Sequence, residues 1–137
     1  MKNILCKIWT FPQNILGCIL VKLFKAKKIV VPYYLNSSCY IAQRFNSSWA
    51  GVSLGNYIIF SNNYSLSLNS FKHEYGHTIQ SNKLGWFYLL IIGVPSFFGN
   101  LYDRIFHKNW NMAARVKWYY NQPWEKWADN LGGVVRS

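Results

Sequence analysis

Carboxylates are scarce in this sequence: four Asp and Glu in 137 residues, against fifteen Lys and Arg. Histidine is scarcer still, at three. Cysteine is limited to Cys6, Cys18 and Cys39. Their number is odd and no C-x-x-C occurs, so neither a disulfide framework nor a cysteine zinc site is signalled; free thiols in a reducing compartment are expected. There is no internal repeat, no low-complexity tract and no separate linker. A single domain over residues 1–137 follows, long enough for a real but small core.

What is abundant is positive charge and aromatic surface. The formal charge is +11, which favours anionic partners. Seven Trp, ten Tyr and nine Phe are many for a soluble domain of this size. Trp and Tyr concentrate where protein meets the membrane interface. Basic charge with aromatic excess therefore reads as a protein of an anionic membrane surface. Nucleic acid is not the expected partner, because the lysines flank apolar segments and no recognised binding motif is present.

Residues 1–32 read as a membrane-associating segment. Ile4–Phe24 is largely apolar, broken by Lys7, Pro12 and Lys22, and a basic cluster follows at Lys22, Lys25, Lys27 and Lys28. The stretch runs into lysines and Ile29-Val30-Val31-Pro32 rather than a small-residue cleavage site, so a cleaved signal peptide is not expected. Residues 39–60 look like an antiparallel β-meander. Its strands would be Cys39–Phe45, Trp49–Leu54 and Tyr57–Phe60, with a turn at Asn46-Ser47-Ser48 and a hairpin at Gly55-Asn56. A break falls at Asn62-Asn63. A helix over 67–82 comes next, capped by Ser67 or Asn69 and stopped at Gly85. Leu84–Tyr102 carries no charge over nineteen residues, the length of a transmembrane span. Gly93, Pro95, Ser96, Gly99 and Asn100 interrupt it. Basic residues flank both ends, which by the positive-inside tendency puts both on the cytoplasmic face. A last helix over 122–132 starts near Pro123, with Asn121 or Gln122 as its cap, and stops at Gly132-Gly133.

The scarce residues are concentrated. His73-Glu74-Tyr75-Gly76-His77 and Glu125-Lys126-Trp127-Ala128-Asp129 hold two of the three histidines and three of the four carboxylates. Residues four apart on a helix share a face, so His73 and His77 can point at one ion. Neutral imidazole suits Zn²⁺. Glu74 sits beside that ion rather than on it, placed to take a proton from a zinc-bound water and pass it to a leaving amine. Catalytic zinc needs a third protein ligand and an open fourth position. Glu125 can be that ligand. Asp129, on the same helix face, can accept the free ring N–H of a ligand histidine and fix its orientation.

H-E-x-G-H followed by E-x-x-A-D and then a glycine resembles the gluzincin metallopeptidases. The likeness is closest to the membrane-embedded group of the CAAX prenyl protease and the bacterial heat-shock membrane protease, and to the small minigluzincin domains. The matching residues are His73, Glu74, Gly76, His77, Glu125, Ala128, Asp129 and Gly132. The resemblance implies an α+β fold, a minimal zincin-like domain carrying apolar membrane-associated segments. It also implies an edge strand that pairs with an extended peptide substrate, either Tyr57–Phe60 or Trp49–Leu54. The transition-state-stabilising His or Tyr of the larger families has no clear counterpart; His107, Tyr119 and Tyr120 are the candidates.

The two motifs also constrain topology. His77 precedes the apolar run and Glu125 follows it, so a single crossing would separate the ligands. Residues 84–102 are therefore expected to re-enter as a hairpin turning at Pro95, or to lie within the protein. The functional expectation is a zinc-dependent endopeptidase at a membrane surface, with its site on the cytoplasmic side. The alternative is a non-catalytic membrane-associated protein that binds zinc or a peptide.

Overall fold

The structure is a computed structural model that describes residues 2–30, 38–43, 51–61 and 67–136. The expected turn at 46–48, the break at 62–63 and the outer ends of two expected strands lie outside the described residues. Within them the fold is α+β, as expected.

The N-terminal segment is two helices, α1 (Lys2–Trp9) and α2 (Phe11–Leu23). Pro12 sits in the first turn of α2, where its missing N–H costs nothing. Four short strands follow: β1 (Lys27–Lys28), β2 (Ser38–Ile41), β3 (Gly51–Leu54) and β4 (Tyr57–Phe60). The Gly55-Asn56 hairpin is present and pairs Leu54 with Tyr57. The sheet is not the antiparallel meander expected, however. Its order is β1-β2-β4-β3, and β2 runs parallel to β4. The reason lies in β4 itself. Ile58, Ile59 and Phe60 are all buried, so both faces of the strand need cover and both edges need partners. That places β4 inside the sheet and leaves β3 at an edge. Tyr57–Phe60 is thereby excluded as the free edge.

The helix of the first motif is α3 (Leu68–Leu84). Ser67 is its cap: its hydroxyl accepts from the Ser70 N–H at 3.2 Å in a reciprocal capping arrangement. Gly85, at φ 56°, ends it. The chain then bends through 117°. A π-helical turn, Leu89–Gly93, leads into α4 (Val94–Phe106), so residues 89–106 form one helical run. The expected reversal at Pro95 does not occur. Pro95 lies in the first turn of α4, just past the wider π turn, where a missing N–H is tolerated. No helix among the described residues is long and apolar enough to cross a membrane; residues 68–87 and 89–106 reach that length and hydropathy only as a pair, bent where Phe87 gives way to Leu89. Helix α5 (Met112–Tyr120), capped by Asn111, was not foreseen. Helix α6 (Pro123–Gly132) follows, with Gln122 at its cap position and Gly133 as its left-handed stop.

Helices α3 and α6 are in backbone contact. A Cβ added to Gly76 would lie 1.9 Å from the Ala128 carbonyl oxygen, and one added to Gly132 would lie 1.9 Å from that of Lys72. Only hydrogen fits at either position. Two apolar clusters support this pair from the sheet side. Cys39, Ile58 and Phe60 pack with Phe71. Leu54, Tyr88 and Ile92 pack with Leu20, Trp124 and Trp127.

Gly76→Ala and Gly132→Ala are each expected to cost about 2–3 kcal/mol by overpacking, measured as a lower urea midpoint in chelator-treated protein. Gly99→Ala is the control. Its new methyl meets the Trp124 ring at an ordinary 3.5 Å, so the midpoint should hold or rise.

Candidate metal centre

The close approach of α3 and α6 brings the two motifs together. His73 and His77 lie one turn apart on α3, with ring centroids 4.8 Å apart. Glu125 comes in from the first turn of α6 and is fully buried. Its Oε2 lies 3.2 Å from His73 Nε2 and 3.1 Å from His77 Nε2. One donor atom from each residue lies within 4.8 Å of the others. This buried group can hold a metal ion.

The opposite ring nitrogens are engaged as a metal site requires. His73 Nδ1 pairs with Asp129 Oδ1 at 2.7 Å, as expected from the sequence. His77 Nδ1 pairs with Gln80 Oε1 at 2.7 Å. With the proton on each Nδ1, both Nε2 lone pairs face the Glu125 carboxylate. Two lone pairs and an anionic oxygen in a dry site demand a cation between them, either protons or a metal. The donor set, two imidazoles and one carboxylate, suits zinc.

The ionisation behaviour of the group has the same origin. Burial pulls the His73 imidazolium down, but hydrogen bonds to Asp129 and Glu125 outweigh it and push its pKa up to about 9. His77 is opposed by burial and raised by the Glu125 charge. Burial works against the Glu125 anion, yet the two histidines hold its carboxyl well below the usual range. Asp129 is lowered too: burial opposes its charge, and His73 and Arg136 stabilise it.

Glu74 is buried beside His73 and is not one of the converging donors. Burial raises its pKa, partly offset by the two histidines. It faces a cleft of about 50 Å³ walled by Phe60, Ser70, Tyr120 and Arg136, to which His73 also contributes. The first residue of edge strand β3 stands over it; a Cβ on Gly51 would come within 3.2 Å of Glu74 Oε1.

The three remaining candidates part company. Tyr120 meets the His73 ring edge-on at 4.9 Å and lines the cleft. Tyr119 is one step behind, its hydroxyl 2.9 Å from Ser96 Oγ. Burial and the nearby Glu125 charge push its phenol pKa up, so it stays protonated. His107 is not brought to the group. It pairs with Asp103 at 3.1 Å and stacks on Trp110 at 3.7 Å, closing the turn between α4 and α5.

Three contributors escaped sequence reasoning. Gln80 orients His77 and ties it to α6, its amide donating to the Trp124 carbonyl at 2.8 Å. Its spacing, three residues after His77, carried that signal. Ser96 donates to Glu125 Oε1 at 2.8 Å, and a hydroxyl inside an uncharged apolar run was its signal. Arg136 grips Asp129 with two hydrogen bonds of 2.6 and 2.9 Å and lies 3.6 Å over the Tyr120 ring. Nothing in its sequence neighbourhood marked it.

No family model matches the chain, and neither the curated proteins nor the solved structures compared with it give a match.

Metal uptake should release protons. A ligand imidazole must be neutral, and His73 is protonated below about 9. His77 is raised as well, so apparent affinity is expected to rise with pH through neutrality and above it. Calorimetric titration in buffers of different ionisation enthalpy measures the protons released. Asp129→Ala should weaken binding roughly 10- to 100-fold, read by competition with a chromophoric chelator.

Proposed function

We propose that this chain is a zinc-dependent metalloendopeptidase of the gluzincin type, acting on peptide or protein substrates at the cytoplasmic surface of a membrane. One observation carries the reading: His73, His77 and Glu125 converge from two helices, with Glu74 beside them on a cleft and Asp129 behind them. A merely structural metal site has no use for a buried carboxylate held next to the ligands with its pKa raised.

His73, His77 and Glu125 would hold the ion. Zinc, when bound, supplies Lewis acidity and makes water acidic enough to serve as a nucleophile near neutral pH. The remaining roles belong to the protein. Asp129 and Gln80 keep the two imidazoles in one tautomer and one orientation. Ser96 occupies the second oxygen of Glu125, leaving Oε2 to face the histidines. Glu74 takes the proton of the attacking water and delivers it to the leaving amine, a task suited to a carboxylate whose pKa burial has raised. An extended peptide would reach this point by pairing with β3, whose edge position next to Glu74 fits the strand-addition mode. Tyr120, on the cleft wall beside His73, is the better placed of the candidates to steady the developing oxyanion.

Purified without chelator, the protein should carry about one zinc per chain by elemental analysis, and His73→Ala should carry none. Glu74→Gln should retain the zinc and lose roughly 100- to 10,000-fold in turnover of a cleaved peptide. A wild-type chain without zinc would sink the proposal. A zinc-loaded chain that cleaves no member of a broad peptide library would replace it with a binding role.

A further inference from the structure

The helices of this protein that leave most apolar surface exposed are built inside out. Along 89–106 Leu89 and Ile92 pack into the core at the start; beyond them the inward positions are Ser96, which bonds Glu125, Gly99 against Trp124, and Asp103, which pairs with His107 and Arg115. The outward positions are Leu90, Val94, Phe97, Phe98, Leu101 and Ile105, each between 42% and 67% exposed. Helix α2 repeats the pattern. Gln13 is buried and donates to Ser81 and to the Gly85 carbonyl; Asn14 accepts from the Asn56 N–H. Phe11, Ile15, Ile19 and Leu23 face out. A helix on a water-facing surface shows the reverse arrangement. The exposed faces run the whole length of each helix, so each suits a position flat against an apolar medium. Trp86, 58% exposed just before Leu89, donates to the Ile8 carbonyl of α1, the helix that leads into α2.

We propose that α2 and the 89–106 helix seat this protein in one leaflet of an anionic bilayer, lying in its plane. The proposal deepens the membrane location in the reading above and rests on that location, not on hydrolysis. Charge decides between lipid and a second copy of the chain. Lys22, Lys25, Lys27 and Lys28 stand exposed at the end of α2, and Lys83 and Lys108 stand exposed on either side of the other helix. Pairing two copies through these faces would bring together lysine-flanked surfaces of chains that each carry +11. Anionic headgroups complement the same lysines, while acyl chains cover the apolar face.

The test is flotation of the full chain with preformed vesicles, after purification in detergent. It is expected to float with phosphatidylcholine vesicles containing phosphatidylglycerol, and less with phosphatidylcholine alone. The double variants Phe97→Ser/Phe98→Ser and Ile15→Ser/Ile19→Ser should each weaken partition about tenfold or more. Both change exposed side chains, and unchanged circular dichroism establishes that they fold. Replacing Lys22, Lys25, Lys27 and Lys28 by Gln should keep some partition and abolish the preference for anionic lipid. The Glu74→Gln chain should float like wild type, so a lack of hydrolysis leaves this result untouched. Failure to float with either vesicle would overturn the proposal. So would a lipid-free dimer, seen by sedimentation, that the Ser variants dissociate.

Discussion

The whole His73, His77 and Glu125 donor group depends on how closely α3 and α6 approach. The two helices meet backbone to backbone at Gly76 against Ala128 and at Gly132 against Lys72. A side chain at either glycine would push the helices apart, and the donor group tolerates little of that. Glu125 Oε2 is poised within 3.2 Å of both Nε2 atoms. Hydrogen-bond and metal-ligand geometries weaken over a few tenths of an ångström. The glycines therefore belong to the site as much as the donor residues do, although they supply no donor atom.

That approach creates an electrostatic demand. Glu74, Glu125 and Asp129 are all buried within one small volume, in a chain with four acidic residues. Burying carboxylates this way costs far more than leaving them on the surface unless positive charge compensates. Arg136 compensates Asp129 from the solvent side, and the histidines compensate Glu125 from within. No arginine or lysine pairs with Glu125 among the described residues. The compensation it receives is of a kind that a divalent cation can take over. The chain's large positive charge, meanwhile, lies mostly on its surface and does nothing for this interior.

How much of this was legible in the sequence depended on whether a residue's role is local. Histidines four apart on a helix, a carboxylate beside them and a second i,i+4 pair further on are local facts. The structure brings His73, His77, Glu125 and Asp129 together as that spacing implied. Ser67, Gly85, Pro123 and Gly133 marked helix ends through chemistry confined to one turn. Strand order was not local. The β-meander followed from reading neighbours in sequence as neighbours in space, whereas burial on both faces of β4 forced it between β2 and β3. Pro95 misled for a related reason. A proline ends a regular α-helix, but here it follows a π turn and stays within the helical run, and the bend lies earlier, between Phe87 and Leu89. His107 was a candidate only because histidine is scarce here; its partner Asp103, four residues earlier, already offered it an alternative use. Arg136 depends on the chain folding back over Tyr120, and no local pattern encodes that.

The 89–106 helix faces two environments at once. Its inward side supplies Ser96 to the one carboxylate that faces both histidines, and its outward side is the longest exposed apolar face among the described residues. A helix fixed only by its apolar surface could slide along its axis or roll. This one is held on its inner side by polar and close-packed contacts of fixed geometry: Ser96 with Glu125 and Tyr119, Gly99 against Trp124, Asp103 with Arg115. Hydrogen bonds specify a register that dispersion forces alone do not. The inversion of polarity thus has a structural consequence independent of what covers the outside. It fixes the distance between the apolar face and Glu125 at the width of a single helix, about 10 Å. Whatever medium that face contacts lies one helix away from Glu125.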